Sequence, residues 1–342
     1  MNRVGVLRCL AAAALFGATA PAASELAGTV PAFTLAGLLY LGAAVAVLPA
    51  TAVHRPDRTA LAREWRPVTV AVVAGGMAGP VLLMAGLAST SAATASILLN
   101  GELVATVLLA ALLVREHIGR WLGAGVALIT LGGVVLTWQP GATVDTGALL
   151  VLAACACWGL DNVVTARIEQ IRPEHVVLVK GVVAGAANLV IGLTVGGIGA
   201  GTTTLDVVTA LAIGAAGYGL SITLWVQGAR HLGASRAQAV FATSPFIGVA
   251  IAWVVLAEPV VGAQVVALVL AAAGVALSLR SGHGHVHLHA AVLHDHDHVH
   301  DEHHAHGGEP GRHSHRHEHQ VVEHDHEHVP DLHHGHPHGE EG

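Results

Sequence analysis

The chain has 342 residues, of which 53% are hydrophobic, 11% charged and 4% aromatic, and its mean hydropathy is +0.62. An ordinary soluble domain carries about 25% charged residues, so this composition excludes a soluble globular protein and indicates a membrane protein. The formal net charge of −7 is unevenly distributed: residues 1–282 hold 14 basic against 11 acidic residues, whereas residues 283–342 hold 2 against 12 and 22 of the 26 histidines. The sequence therefore predicts a membrane domain followed by a polar tail.

Ten segments before the tail are long and apolar enough to cross a bilayer, which takes about 20 residues of helix. Short polar or Gly/Pro-containing pieces such as HRPDRTALAREWRP and QPGATVDTG separate them. The sequence thus predicts an all-α polytopic domain of ten transmembrane helices, with fewer spans as the alternative because the first and sixth are only moderately apolar. The predicted spans are residues 10–28, 33–53, 67–88, 92–114, 120–138, 147–166, 175–196, 206–228, 236–256 and 261–280.

An internal repeat supports this count. A single shift of 142 residues, with no net insertion, aligns matches spread from residue 16 to residue 132. It predicts two copies of a five-helix unit, in residues 1–140 and 141–282. Because five is odd, the second copy must enter the membrane inverted. The aligned pairs are Phe16-Gly17 with Trp158-Gly159, Gly75 with Gly217, Gly86 with Gly228, Glu116 with Glu258, and Gly132 with Gly274.

The arginines predict the orientation, since basic residues stay on the cytoplasmic side in short loops. With the N-terminus inside, each predicted cytoplasmic loop carries arginine and no predicted external loop does. We therefore expect a multi-pass protein of the plasma (inner) membrane with both termini in the cytoplasm. Lys180 is expected to snorkel to the cytoplasmic surface from the end of span seven. The arginines are Arg3, Arg8, Arg55, Arg58, Arg63, Arg66, Arg115, Arg120, Arg167, Arg172, Arg230, Arg236 and Arg280.

The first 24 residues admit a second interpretation. MNRVGVLRCLAAAALFGATAPAAS has the basic start, apolar run and small-residue end of a secretory signal peptide. Cleavage there would remove the counterpart of span six and leave nine helices with arginines on both sides. We therefore expect the segment to be retained as the first span.

Inverted repeats place a substrate site near the bilayer midplane, between two halves that expose it alternately. Glycine and proline concentrate where such a site would lie, as in Gly79-Pro80, Gly217-Tyr218-Gly219 and Ser244-Pro245. Small residues let helices approach closely, and the prolines free backbone carbonyls that can bend a helix or line a cavity. We expect Tyr218, Ser244 and Pro245 to contribute to the cavity; plain packing is the alternative.

Glu102 lies half-way along span four, in the apolar stretch LLNGELVATVLL. A charged side chain there costs a few kcal/mol to insert, so we expect it to face a central cavity. Loss of solvation favours the neutral carboxyl, so Glu102 could exchange a proton, or bind an ammonium group of a substrate; a purely structural hydrogen bond is the alternative. Asn100, Trp158 and Asn162 are weaker candidates for the same site, and Asp161 is expected to be solvated near the cytoplasmic end of span six.

Phe16-Gly17 and Trp158-Gly159-Leu160-Asp161-Asn162 resemble the aromatic-Gly motif that opens each half of the EamA family, in the drug/metabolite transporter superfamily. Residues 231–277 are similar to that family's final two helices, and residues 91–136 are their counterpart in the first half. The resemblance covers about residues 10–280. It implies ten helices in two inverted repeats and transport of small metabolites, often outward.

Two family motifs are altered in this chain. The family often has Glu-Pro in the middle of the fourth helix of each half, whereas here Glu102 is followed by Leu103 and its repeat counterpart is Ser244-Pro245. The family's Gly-Glu at the end of that helix is replaced by Arg115-Glu116 and Ala257-Glu258. Each half thus keeps only part of each motif.

The tail has no apolar periodicity and is predicted to be disordered. Its His-x-His repeats alternate with acidic residues, and imidazole is a preferred ligand of Zn, Ni and Co. No single four-ligand spacing stands out, so we expect a metal buffer rather than a closed site; a solubilising, pH-responsive tail is the alternative. The candidate ligands are His283, His285, His287, His289, His294, His296, His298, His300, His303, His304, His313, His315, His317, His319, His324, His326 and His328.

These patterns predict a secondary active transporter that moves a small, amino-acid-like or other organic solute, with export favoured, by alternating access. A Ni/Co/Zn transporter and a non-transporting metal-binding membrane sensor are the alternatives, although a metal pathway would want imidazole or thiolate at mid-membrane. The histidines before the tail fall in loops or at helix ends, and the cysteines are interpreted as packing residues: His54, His117, His175, His231, Cys9, Cys155 and Cys157.

The expected partners are the solute, protons, divalent metals at the tail and the lipid bilayer, with no nucleic acid and the oligomeric state left open. The sequence contains no nucleophile–base arrangement, Walker loop or closed metal motif. We therefore expect no enzyme and no required cofactor, with Zn, Ni or Co bound only by the tail.

Overall fold

The computed structural model describes residues 3–53, 58–114, 118–137, 145–165, 168, 171–232 and 240–279, and four tail segments, 283–289, 293–298, 313–318 and 322–328. Two compact units are distinguished. One contains the chain up to Arg280, and the other is Ser281–Asp331.

The first unit is helical throughout its described secondary structure, as expected where lipid offers the backbone no hydrogen-bond partner. Two helices begin at side-chain caps: Ser91 accepts from the Thr94 N–H, and Thr203 forms a capping box with Asp206. The α-helices are α1 (Arg3–Gly17), α2 (Thr19–Ala27), α3 (Ala32–Val53), α4 (Arg58–Arg63), α5 (Trp65–Val70), α6 (Gly79–Leu87), α7 (Ala92–Leu98), α8 (Gly101–Val114), α9 (Arg120–Thr137), α10 (Thr146–Thr165), α11 (Pro173–Val195), α12 (Thr204–Gly214), α13 (Ser221–Leu232), α14 (Ser244–Val254) and α15 (Gly262–Leu279).

Within the described residues, eight helical stretches are long and apolar enough to cross a membrane, and two further apolar helices, Ser244–Val254 and Gly262–Ser278, are shorter. The prediction of a polytopic all-α membrane domain is thereby confirmed. The first stretch begins seven residues before the predicted span and belongs to the helix bundle. The eight stretches are Arg3–Ala27, Ala32–Thr51, Trp65–Leu87, Ala92–Leu113, Arg120–Thr137, Thr146–Thr165, Glu174–Val195 and Thr204–Trp225.

Spans three and eight each contain a stretch of π-helix, in which backbone hydrogen bonds run over five residues instead of four. The first π-segment is Ala71–Ala78, between α5 and α6, and the second π-segment is Ala215–Leu220, between α12 and α13. Their last residues are 142 positions apart, so both lie at equivalent places in the sequence repeat. Spans four and nine are also interrupted within one residue of equivalent places, by turns at 99–100 and 242–243.

The first helix of each half packs within the other half. Helix α10 lies against α6 and α8, and α1 lies against α13 and α14. Glycines allow the close approach: a Cβ atom added at Gly86 would lie 2.8 Å from the Gly147 carbonyl oxygen, and one added at Gly228 would lie 3.1 Å from that of Gly5. These two contacts are related by the shift of 142.

Two other helix pairs join the halves through glycine. A Cβ atom at Gly185 of α11 would lie 2.9 Å from the Leu41 backbone nitrogen of α3. One at Gly125 of α9 would lie 2.5 Å from the Gly274 carbonyl oxygen of α15. Such close backbone contact is how membrane helices gain packing energy where lipid supplies no hydrophobic drive.

The tail unit contains four strands, β1 (His283–His289), β2 (Leu293–His298), β3 (His313–Glu318) and β4 (Val322–His328). Strand β1 pairs antiparallel with β4, and β2 with β3, and each register sets three histidines opposite histidines. The His-x-His alternation of these four segments has the two-residue period of a strand. The disorder expected for the tail stays a prediction.

Candidate functional site

Glu102 lies half-way along the Ala92–Leu113 stretch, in the first turn of α8 and directly after the turn that ends α7. Its Oε1 atom accepts a hydrogen bond from the Asn162 amide at 2.8 Å. The same amide lies 3.2 Å from the Thr106 hydroxyl oxygen, one turn further along α8. The half-buried carboxyl group therefore faces α10 inside the bundle.

An ion pair lies beside this hydrogen bond. The Lys180 ammonium of α11 donates to Asp161 Oδ2 of α10, and the two side chains are only 15% and 9% exposed. The Thr165 hydroxyl donates to Asp161 Oδ1 at 2.9 Å. The expectations that Asp161 is solvated and that Lys180 snorkels to the surface are therefore wrong, because the two opposite charges compensate each other inside the bundle.

Gly75 makes room for this pair. A Cβ atom at Gly75 would collide with the Asp161 carboxylate, so the first π-segment needs glycine at this position. Asp161 and Asn162 are consecutive on α10, so one helix holds the ion pair with Lys180 and the hydrogen bond to Glu102 at neighbouring positions. The three ionisable groups carry one uncompensated negative charge when both carboxyls are ionised, which a proton or a bound cation would neutralise.

Trp158 also contacts the first π-segment, through a hydrogen bond to the Gly75 carbonyl oxygen. In the π register the N–H of residue 80 would pair with the Gly75 carbonyl, and Pro80 has no N–H. The Gly75 oxygen instead accepts from the Tyr40 hydroxyl at 2.6 Å and from the Trp158 indole N–H at 3.0 Å. Pro80 thus leaves the Gly75 carbonyl without a backbone partner, as the sequence predicts. Buried side chains of α3 and α10 donate hydrogen bonds to it instead.

Tyr218 lies in an aromatic cluster next to this carbonyl. Its ring centroid is 5.5 Å from that of Tyr40 and 6.0 Å from that of Phe16, which meets it edge-on. Phe16 also packs against Phe241 at 5.3 Å. The cluster links α1, α3 and the second π-segment, so Tyr218 is near the centre of the bundle.

The other candidates lie elsewhere. The buried Asn100 amide donates to the Ile97 carbonyl at 2.9 Å and closes the end of α7. Ser244 is buried at the start of α14 with its carbonyl against Gly17, and Pro245 follows in the first turn. No hydrogen bond among the described residues joins Asn100, Ser244 or Pro245 to Glu102.

Sequence reasoning missed the roles of Tyr40, Lys180 and Asn188. The buried Asn188 amide of α11 donates to the carbonyls of Gly76 and Met77 at 3.2 and 3.3 Å. A usable signal existed for Lys180, since it and Asp161 are opposite charges in consecutive apolar spans. None existed for Tyr40, because its partner is a backbone oxygen.

The described residues contain no group of three or more His, Cys, Asp or Glu side chains arranged to hold a metal. The Cys155 thiol donates to the Leu98 carbonyl at 3.4 Å, as a packing residue does. Of the tail histidines named as candidate ligands, His300, His303, His304 and His319 lie outside the described residues.

Comparison with known proteins gives a consistent result. A family model described as the EamA-like transporter family matches residues 3–138 and again residues 145–280. An uncharacterized transporter of Methanothermobacter thermautotrophicus is 31% identical over 188 residues, which are 53% of this chain and 54% of that protein. The chain thus spans about half the length of this curated relative. One solved crystal structure shares the fold with a TM-score of 0.59 and 20% identity, over 80% of this chain and 96% of the other.

Proposed function

We propose that this chain, which belongs to the EamA-like transporter family, is a secondary active transporter that exports a small organic, amino-acid-like solute across the inner membrane by alternating access. Family membership and the eight apolar helices establish an integral multi-pass protein of a transporter family. Direction, substrate and coupling to protons are the parts we propose beyond that.

The proposed architecture is ten spans in two inverted five-helix repeats, residues 1–140 and 141–282, with both termini cytoplasmic. The helices Ser244–Val254 and Gly262–Ser278 would be the ninth and tenth spans. Three observations support it: the glycine contacts of α10 and α1 recur after 142 residues, the π-segments fall at equivalent places, and the breaks in spans four and nine fall within one residue of equivalent places. Transporters of this architecture bind their substrates at discontinuous helices at the repeat interface.

The observation that carries the proposal is the Glu102–Asn162 hydrogen bond beside the Asp161–Lys180 ion pair. Intramembrane ionisable residues that face a bundle interior mark substrate or proton pathways. With both carboxyls ionised, this cluster lacks one positive charge. A proton on Glu102 supplies it in one state; in the other, the ammonium group of a solute pairs with the ionised Glu102 carboxylate, so that binding of one releases the other.

The test uses the full chain reconstituted in proteoliposomes, with a panel of labelled neutral L-amino acids and an imposed pH gradient. We expect Glu102→Gln to lower gradient-driven flux at least tenfold, because the amide keeps the hydrogen bond to Asn162 but binds no proton. The matched control is Glu25→Gln, the same change at an exposed carboxyl of α2, which we expect to retain most of the flux. Normal transport by Glu102→Gln with its pH dependence unchanged would overturn the proposal.

For the tail we propose a cytoplasmic buffer for Zn, Ni or Co. The alternation of histidine with acidic residues and the histidine-on-histidine strand registers support it. Equilibrium dialysis should show several metal ions bound by the full chain and at least a fivefold lower stoichiometry after deletion of residues 283–342, with unchanged solute flux. Metal flux that disappears with the tail would favour metal transport instead, and absence of any flux from the intact chain would favour a sensor.

A further inference from the structure

We propose that Lys180 binds an anionic group of the transported solute. The solute is then a zwitterion, with its ammonium group at Glu102 and its carboxylate at Lys180. This inference rests on the function proposed above and adds a second binding residue to the same site. It also narrows the substrate to solutes that carry both charges.

The unused hydrogen-bonding capacity of the cluster supports this assignment. A lysine ammonium has three donors, and Asp161 Oδ2 is its one hydrogen-bond partner among the described residues. The Lys180 side chain keeps 15% of its surface accessible, and two of its three donors have no partner among the described residues. Glu102 uses Oε1 for Asn162 and has no described partner at Oε2. The site therefore offers donors on one side and an acceptor on the other.

The fold itself does not need this charge pair. At the equivalent crossing in the other half, Thr19 takes the place of Asp161 and Leu38 that of Lys180. Gly217 there approaches the Thr19 hydroxyl as Gly75 approaches Asp161. A neutral and an apolar residue thus build the same crossing, and buried ion pairs contribute little net stability compared with apolar packing. A binding role explains why charges are present on one side alone.

The electrostatics favour an anionic group at Lys180 that arrives together with a cation. A lone anion would add a second uncompensated negative charge to the cluster, and a low-dielectric interior makes this unfavourable. A zwitterion adds no net charge. Its carboxylate shares Lys180 with Asp161, while its ammonium group satisfies Glu102.

The experiment compares labelled neutral L-amino acids with their α-amides, which keep the ammonium group and lose the carboxylate, in proteoliposomes of the full chain. We expect the unaltered protein to prefer the amino acid at least tenfold in kcat/KM. In the double variant Asp161→Asn/Lys180→Gln, which keeps a polar neutral pair, this preference should fall below threefold. Lys180→Arg should retain the preference, since it keeps the positive charge.

The outcomes separate the two proposals. An unaltered preference in the double variant, or equal transport of acid and amide by the unaltered protein, overturns the role of Lys180 while leaving a proton-coupled carrier in place. Loss of both fluxes in Glu102→Gln supports the shared site. If the unaltered protein moves neither compound, the proposed function fails, and the role of Lys180 fails with it.

Discussion

The two halves of the membrane domain solve the same packing problem with different chemistry. Where α10 crosses the first π-segment, Gly75 faces the carboxylate of Asp161; where the start of α2 meets the second π-segment, Gly217 faces the hydroxyl of Thr19. The backbone arrangement is equivalent, yet only the first crossing carries charge. A duplicated scaffold can therefore keep its helix contacts in both copies while one copy acquires the ionisable groups.

The same contrast extends to Glu102. Its partner Asn162 corresponds to Ala20, and Glu102 itself corresponds to Ser244. Alanine has no side-chain donor, so the second crossing has no counterpart of the Glu102–Asn162 hydrogen bond. We infer that solute chemistry is concentrated on the α8–α10–α11 side, and that the opposite crossing provides packing.

The sharpest test of this contrast removes one partner of the ion pair. We expect Asp161→Leu to lower the free energy of unfolding by about 3–5 kcal/mol, because it removes the hydrogen-bonded counter-charge of the buried Lys180 ammonium. Thr19→Val at the equivalent crossing should change it by less than about 1 kcal/mol. Chemical unfolding in detergent measures both, and adding Lys180→Met to Asp161→Leu should recover most of the loss. Equal losses at the two crossings would contradict the contrast.

A second test asks whether the scaffold is equivalent, as the glycine contacts indicate. A Cβ atom at Gly159 would lie 2.8 Å from the Ala105 carbonyl carbon, and one at Gly17 would collide with the Ser244 carbonyl. Gly159→Ala and Gly17→Ala should each destabilise by about 1–3 kcal/mol through overpacking. Gly28→Ala is the control, since nothing lies within 4 Å of its Cβ position. A loss at only one of the two crossings would show that the scaffolds differ.

A smaller effect is expected at the freed carbonyl of the first π-segment. Tyr40→Phe removes one of the two side-chain donors to the Gly75 oxygen and should destabilise by about 1 kcal/mol. Tyr218→Phe should have almost no effect, because its hydroxyl makes no hydrogen bond among the described residues. Thermal unfolding of the two variants side by side decides the matter, and a larger loss for Tyr218→Phe would reverse the assignment.

A similarly small effect, of opposite sign, is expected at Ala257, which has a φ of 52° in the loop after α14. Left-handed backbone is unfavourable for residues with a Cβ atom, and glycine removes the strain. The position is held because the Glu258 carboxylate accepts from the Ala92 and Ala93 N–H groups at 2.8 and 2.9 Å. Ala257→Gly should therefore stabilise by about 1 kcal/mol, seen as a higher Tm, whereas Ala252→Gly inside α14 should destabilise by a similar amount.

Much of the fold could be predicted from one-dimensional patterns, because lipid requires long apolar helices and their length is visible in the sequence. Glu102 could be identified in the same way, as a carboxyl in an apolar span. Asp161 and Lys180 could not, because the depth of a residue was inferred from its distance to the end of a span, and pairing between spans overrides that distance. The π-segments depend on hydrogen-bond register, which composition does not determine.

The oxygen of Gly75 has a consequence for following the protein in action. One of its two donors, Tyr40, comes from the same half of the chain, and the other, Trp158, comes from the opposite half. If the two halves move apart during transport, the hydrogen bond from the Trp158 indole to the Gly75 oxygen must break, and the polarity around the indole changes. The hydrogen bond from the Tyr40 hydroxyl can remain. With the other five tryptophans replaced by phenylalanine, the fluorescence of Trp158 would follow each turnover without an added dye.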